Sequence, residues 1–209
     1  MKSIVTSLLI LLSTICFAQI TAVTSNGDEV VLYDNGTWKY TNKEEAQSDP
    51  VVENKTQFVK SKDASFPLKS KTVNAVINID PKKWTFKKGE DGAAAEYQLQ
   101  MKASDAYGML ITERIEIPIE SLKKIAFDNA KNVAPDIAVI KQEYRTVNGT
   151  KVFFMQMNGT IQGIKFSYLG YYYSSPAGTV QFLTYTSQNL LLDYEPELMA
   201  LLNGIEFIK

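Results

Sequence analysis

The chain has 209 residues, a formal net charge of −1, a single cysteine and no histidine. The missing histidine excludes a Ser-His-Asp triad, imidazole-ligated zinc or copper, and a switch based on histidine protonation. The small net charge gives no uniform field that favours nucleic acid, so we predict no nucleic-acid partner. Catalysis by carboxylates, lysine or tyrosine stays open.

The first 18 residues have the pattern of a secretory signal peptide. Lys2 supplies a positive charge, an apolar run from Ile4 to Ile15 follows, and the small residue Ala18 precedes a cleavage site before Gln19. The apolar run is shorter than the ~20 residues that a membrane-spanning helix needs. We therefore predict export to the periplasm or beyond it.

The cysteine at position 16 raises the alternative of a lipid anchor. Bacterial lipoprotein signals usually place a small residue before that cysteine, whereas here the β-branched Ile15 precedes Cys16. The sequence thus argues against lipidation. Removal of residues 1–18 leaves a chain with no disulfide, no thiolate metal site and no cysteine nucleophile.

A small β-meander is predicted for residues 19–40. Two Asn-Gly pairs flank the apolar run from Glu29 to Tyr33, and this pair of residues tolerates the positive φ of tight turns. The end of the segment, Asp34 to Trp38 followed by Tyr40, resembles a short meander at the mature N-termini of exported bacterial proteins, some of them SH3-like. That resemblance implies no catalytic role.

Residues 41–72 are predicted to be a flexible polar linker. Lys, Glu, Ser, Asn and Gln dominate, and large apolar residues are few, so the segment buries too little surface to offset its ordering entropy. The linker could make weak contact with an anionic surface, although a solvated tether is the favoured interpretation. Its lysines include Lys55, Lys60, Lys62, Lys69 and Lys71.

Residues 73–209 are predicted to form the main domain, an α+β fold in which helices flank an antiparallel sheet. Strict alternation from Ala95 to Met101 indicates a strand with one solvated face, and Ile119 to Lys131 has helical spacing between two prolines. A last helix over Pro196 to Leu202 should begin near its proline and end at Gly204 in a left-handed conformation. A short strand from Ile205 to Ile208 closes the chain.

Three β-rich runs between Lys151 and Ser187 predict the centre of the sheet. Turns are expected at Asn158-Gly159-Thr160 and at Pro176-Ala177-Gly178. The middle run is apolar on both faces, which is typical of a strand covered on both sides. Gly170 could instead host a β-bulge that changes the register.

The order of these elements resembles that of PsbP-like domains. The resemblance covers residues 73–209 and lies in the helix after "IPIESLKKIAFDNAK", the meander "NGTKVFFMQMNGTIQGIKFSYLGYYYSSPAGTVQFLTYT" and the terminal "ELMALLNGIEF". It implies an antiparallel sheet between helical layers. Known members, which include an extrinsic photosystem II protein and a Ran-binding import factor, act mainly as binding or assembly modules, so the resemblance implies no enzyme chemistry.

Candidate site residues fall into two groups. Tyr171, Tyr172 and Tyr173 could form an aromatic ligand-binding rim, with ordinary sheet packing as the alternative. Two acidic clusters could serve acid–base chemistry or calcium binding, but Glu113 and Glu116 should point to opposite faces of a strand, and the structural interpretation is favoured. The clusters are Glu113, Glu116 and Glu120, and Asp193, Glu195 and Glu197.

These observations favour an exported, non-enzymatic binding or assembly module whose ligand or envelope partner is unknown. We predict no cofactor and no bound metal. Two alternatives stay open: a carboxylate-dependent hydrolase acting on envelope glycans or peptides, and a surface-associated structural protein.

Overall fold

The computed structural model describes residues 20–24, 27, 29–33, 38–41, 51–90 and 92–208. The predicted signal peptide lies outside the described residues, as do residues 42–50 of the predicted linker. Among the described residues, no helix is both long enough and apolar enough to cross a membrane.

The N-terminal strands β1 (Ile20–Val23), β2 (Glu29–Leu32) and β3 (Trp38–Tyr40) form an antiparallel three-stranded sheet in the order β1-β2-β3. This confirms the predicted meander. Val30 is buried, and Gly27, with a φ of 87°, lies so close to the main-chain carbonyl of Glu120 that a Cβ would stand 2.7 Å from that oxygen. The sheet therefore contacts the rest of the chain.

The described part of the chain beyond residue 50 forms eleven further strands and two α-helices. The strands before the first helix are β4 (Glu53–Phe58), β5 (Phe66–Lys69), β6 (Ala75–Ile79), β7 (Trp84–Lys88), β8 (Tyr97–Met101) and β9 (Ala106–Glu113). The elements that follow are α1 (Ile119–Val133), β10 (Ala138–Val147), β11 (Thr150–Ile161), β12 (Ile164–Ser175), β13 (Gly178–Ser187), a 3₁₀ turn (Gln188–Leu190), α2 (Leu191–Leu202) and β14 (Ile205–Phe207).

Eight strands form the central sheet in the order β4-β10-β11-β12-β13-β9-β8-β7, and a third sheet has the order β14-β6-β5. All pairs in the central sheet are antiparallel except β4 with β10. One face packs on α2 and the third sheet, and the other packs on α1. The predicted α+β class with a large antiparallel sheet is confirmed, but a single helix covers one face and the third sheet shares the other.

The position of β12 confirms that the middle run is covered on both faces. Its register passes without a shift through Gly170, which pairs with Met155 on one side and Leu183 on the other. Gly170 therefore hosts no bulge. Its missing side chain serves a close contact, because a Cβ there would stand 2.6 Å from Leu183 and 3.0 Å from the hydroxyl oxygen of Tyr172.

The turn predicted at Asn158-Gly159-Thr160 is wrong. These residues lie inside β11, and the chain reverses at Gln162-Gly163, where both residues have positive φ, as a two-residue hairpin turn requires. Gly159 is needed for close packing, since a Cβ there would stand 2.7 Å from Ile137. A glycine after an asparagine can serve a tight turn or close packing, and at Gly159 the structure shows close packing.

Residues 51–72 are ordered, which corrects the linker prediction for that part of the segment. β4 adds to the edge of the sheet beside β10, and Asn148 fixes its end by donating its backbone N–H to Phe58 and accepting one from Lys60. Leu68 of β5 is buried in the main core. Backbone hydrogen bonds at a sheet edge need few apolar side chains, so composition alone did not reveal these strands.

The last helix begins earlier than predicted, at Leu191, and Pro196 lies inside it. Gly204 does not have the expected left-handed conformation, since the glycines with positive φ are Gly27, Gly92, Gly149, Gly163 and Gly178. Its lack of a side chain instead allows close approach, because a Cβ on Gly204 would stand 2.1 Å from the carbonyl oxygen of Asn78. The closing strand is confirmed as β14.

Candidate functional site: a cavity between α1 and the sheet

Helix α1 covers the sheet with small side chains. Pro118 precedes it, and Leu122 and Ala126 are its buried residues. Ala126 and Ala130 face the sheet at the spacing of one helical turn. These small side chains leave space between the helix and the sheet that larger side chains would fill.

That space is a cavity of about 380 Å³. The volume is near the lower end of the range of roughly 300–1,000 Å³ for small-molecule sites. Its lining is mainly aliphatic and aromatic. The lining residues are Ala94, Met109, Ile111, Glu113, Ile117, Leu122, Ile125, Ala126, Asn129, Ala130, Val133, Ala134, Ile137, Met157, Tyr168, Tyr172, Gln181 and Leu183.

Two buried polar side chains lie on the floor of the cavity. Tyr172 of β12 and Gln181 of β13 are paired directly across the two strands, so both side chains leave the same face of the sheet. Tyr172 is 1% exposed and Gln181 is 9% exposed. The described residues include no hydrogen-bond partner for the Tyr172 hydroxyl or for the Gln181 carboxamide. Because no fully enclosed side-chain nitrogen or oxygen among the described residues lacks a partner, both groups reach the open space of the cavity.

Burial keeps the phenols of this floor protonated. Complete desolvation raises the pKa of Tyr172 far above its ordinary value, with no opposing hydrogen bond. Burial, and secondly the neighbouring Tyr185, also raises the pKa of Tyr168. Each hydroxyl therefore keeps its proton at neutral pH and can donate a hydrogen bond into the cavity.

The mouth of the cavity is apolar with an acidic edge. Ile125 and Val133 of α1 line it and are 40% and 61% exposed. Glu113, at the end of β9, and Asn129 of α1 are exposed lining residues. None of the described lining residues is a lysine or arginine. The site therefore suits an apolar molecule and offers no positive charge to an anion.

The opposite face of β12 carries a sealed polar cluster. Arg145 and Glu143 of β10 are 6% and 7% exposed and form an ion pair with an Nε–Oε1 distance of 2.6 Å. Burial alone would raise the pKa of Glu143, but hydrogen bonds from Arg145 and Asn54 outweigh it and hold the pKa below its usual value. The Tyr171 hydroxyl donates to Asn203 Oδ1 at 2.7 Å. Arg145, Glu143 and Tyr171 each have a hydrogen-bond partner in the protein, and none of the three lines the α1 cavity.

The three predicted site tyrosines do not form one rim. Tyr171 and Tyr172 point to opposite faces of β12, and only Tyr172 lines the α1 cavity. Tyr173 packs on Phe207 of β14, with a distance of 3.9 Å between the ring centroids. Ligand binding by these tyrosines stays a prediction, which the structure makes specific to Tyr172.

The acidic clusters are dispersed. Glu120 accepts hydrogen bonds from Lys123 and from the Tyr144 hydroxyl, while Glu197 pairs with Lys83 at 2.5 Å. That pair lies in a second pocket of about 180 Å³, lined also by Asp63 and Asp80, where Lys83 is the one basic residue among the described lining residues. In the part of the chain that the structure describes, no group of three or more acidic residues is placed to hold a metal ion.

Gln181 was missed by sequence reasoning. The only signal was a polar residue within the apolar run from Thr179 to Tyr185. Alanines spaced by four residues, from Ala126 to Ala134, were the signal for the cavity roof, but the same spacing serves tight helix packing. The sequence alone does not distinguish a cavity roof from tight helix packing, whereas the structure does.

Comparison with solved structures identifies the fold. The solution structure of cyanobacterial PsbP (CyanoP) from Synechocystis sp. PCC 6803 matches with a TM-score of 0.56 at 8% sequence identity, over 68% of this chain and 92% of that chain. The fold of this chain is PsbP-like, which confirms the resemblance found in the sequence.

Two weaker similarities accompany that match. A protein of unknown function from Pseudomonas aeruginosa has a TM-score of 0.41 at 11% identity, over 63% of this chain and 89% of that chain. A chain from Bacteroides thetaiotaomicron has a TM-score of 0.40 at 10% identity, over 65% of this chain and 46% of that chain. No protein-family model matches the sequence. No curated protein matches it either.

Proposed function

We propose that this protein is an exported binding module that holds a small apolar molecule in the cavity between α1 and the sheet. The observation that carries the proposal is the apolar space of about 380 Å³, which is lined by two polar side chains, those of Tyr172 and Gln181, that make no hydrogen bond to any other described residue. Apolar walls supply affinity by removing surface from water, and a few polar groups fix the orientation of the ligand.

A binding role is favoured over hydrolysis by the carboxylates of the site. Glycoside hydrolysis requires two carboxyl groups across one cleft, at roughly 5–10 Å. Among its described lining residues the α1 cavity offers one, Glu113. The second pocket has three carboxylates, but its volume is only about 180 Å³. Two of the three are already engaged, since Glu197 is paired with Lys83 and Asp80 accepts the backbone N–H of Lys82. Export is proposed from the signal-peptide pattern of residues 1–18.

Filling the cavity tests the binding proposal. We expect the purified protein to bind the neutral dye Nile red saturably, with increased fluorescence, and Ala130→Phe to abolish the signal because the new ring would occupy the cavity. Ala138→Phe is the matched control, since Ala138 is exposed and does not line the cavity. Circular dichroism verifies that both variants are folded. Equal dye binding by wild type and Ala130→Phe would refute the proposal.

Export is tested separately by mass spectrometry of the protein recovered from its own cells. A mature chain that begins at Gln19 is expected, because Ala18 is the small residue before the predicted cleavage site. An intact N-terminus in the cytoplasmic fraction would contradict export without affecting the binding proposal.

A further inference from the structure

The polar pair on the cavity floor carries information about the ligand. The Tyr172 hydroxyl lies above Gly170, because a Cβ on that glycine would stand 3.0 Å from the hydroxyl oxygen. Leu183, the cross-strand partner of Gly170, also lines the cavity, which places the hydroxyl over the middle of the floor. The hydroxyl keeps its proton and lines the cavity, so it can donate a hydrogen bond to an acceptor atom of a ligand that enters there.

The second polar group has matching chemistry. Gln181 is directly opposite Tyr172 on the neighbouring strand, and its carboxamide can donate through nitrogen and accept through oxygen. Both residues can therefore donate to a ligand oxygen that enters this part of the cavity. Two neutral donors side by side suit a carbonyl oxygen, which has two lone pairs to accept them.

Charge excludes the most common alternative, a fatty acid in its ionised form. A buried carboxylate needs a cationic partner or several donors, and no lysine or arginine is among the described residues that line the cavity. Glu113 adds a carboxylate at the mouth, which disfavours entry of an anion. The floor thus prefers a neutral polar group over a charged one.

We infer that the cavity binds a neutral, mainly aliphatic carbonyl compound, such as a ketone, ester or amide, whose carbonyl oxygen accepts hydrogen bonds from Tyr172 and Gln181. The inference rests on the proposed function and adds the chemical class of the ligand. The apolar part of the molecule packs between α1 and the sheet, and the carbonyl lies on the sheet floor.

Two probes with the same chain length test this inference. Binding of decan-2-one and of decanoate to the purified protein is measured at neutral pH, by calorimetry and by ¹⁵N chemical shifts of the cavity residues. We expect the ketone to bind at least about tenfold more tightly, because only the carboxylate must lose its charge hydration. Tyr172→Phe and Gln181→Leu should each reduce ketone affinity several-fold and leave the cavity able to bind Nile red. Tyr171→Phe is the matched control on the opposite face and should leave the affinity unchanged.

The outcomes separate the inference from the proposed function. Equal affinity for the two probes, or tighter binding of decanoate, would overturn the carbonyl assignment while apolar binding stood. Unchanged ketone affinity in both Tyr172→Phe and Gln181→Leu would overturn it as well. Failure of both probes and of Nile red to bind would overturn the assignment together with the proposed function.

Discussion

Tyr171 and Tyr172 are consecutive residues of β12, and each is 1% exposed, yet their hydroxyl groups have opposite environments. The Tyr171 hydroxyl donates to Asn203 and belongs to the saturated cluster around Arg145. The Tyr172 hydroxyl has no protein partner in the described residues and lies at a cavity. On one face the tyrosine hydroxyl is thus hydrogen-bonded within the protein, whereas on the other face the hydroxyl lies at a cavity without such a bond. Burial alone would not distinguish a core residue from a site residue here.

The largest effect that separates the two faces is expected from Arg145→Met. The substitution keeps most of the side-chain volume but removes the closer of the two cations beside the buried Glu143. Glu143 then keeps only Lys141, which is half exposed and 3.4 Å away, so the free energy of unfolding should fall by about 3 kcal/mol. Urea unfolding monitored by tryptophan fluorescence measures the change. The double variant Arg145→Met with Glu143→Leu is the control and should recover much of the loss. A loss below about 1 kcal/mol would show that the α2 face does not depend on this ion pair.

A smaller effect, on the cavity face, is expected from Gly170→Val. The added side chain would collide with Leu183 and Tyr172 and displace them into the cavity, at a cost of about 1–3 kcal/mol from overpacking. The midpoint temperature of thermal unfolding and the affinity for Nile red should both decrease. Gly170→Ala adds only the Cβ atom, so its losses of stability and of Nile red affinity should be smaller than those of Gly170→Val. Full dye binding by a folded Gly170→Val would place the dye outside this cavity.

Tyr171→Phe should lower the free energy of unfolding by about 1 kcal/mol, because it removes the hydrogen bond at 2.7 Å to Asn203. A double-mutant cycle with Asn203→Ala isolates the contribution of that bond. The prediction fails if the stability of Tyr171→Phe equals that of the wild type.

The smallest effect is expected from Tyr172→Phe. The removed hydroxyl has no partner among the described residues, so stability should stay within about 0.5 kcal/mol of the wild type or rise. The same chemical change one residue away would then have different consequences on the two faces. Chemical unfolding in the absence of ligand is the measurement, and a loss above about 1 kcal/mol would indicate an intramolecular partner for Tyr172.

The sequence predicted the elements that depend on local patterns. Alternation predicted β8, helical spacing between Pro118 and Pro135 predicted α1, and the prediction that β12 is covered on both faces was correct. It failed where tertiary contacts decide. The pattern at Gly159 predicts a turn, but this glycine packs against Ile137. The composition of β4 predicts a linker, because the strand is stabilised by pairing with β10, which is distant in sequence.

The candidate site could be predicted only in part. Tyr172 was among the predicted residues, since aromatic runs indicate large buried side chains. Its partner Gln181 lies nine positions further along the chain and approaches only through the register of β12 with β13. The roof of the cavity includes Ala126 and Ala130 of α1, and no pattern within the helix shows which strands they face.

The third sheet has a consequence for the order of folding. Its β6 and β14 are joined through hydrogen bonds between Asn78 and Gly204, which are 126 positions apart. Closing so long a loop has a high entropic cost, so this pairing should follow the local hairpins of the central sheet. In an incomplete chain emerging from the ribosome β14 is still missing, so the edge of β6 that pairs with β14 has no partner strand. The third sheet thus cannot close before β14 has been synthesised, which leaves time for any step that requires an unfolded chain.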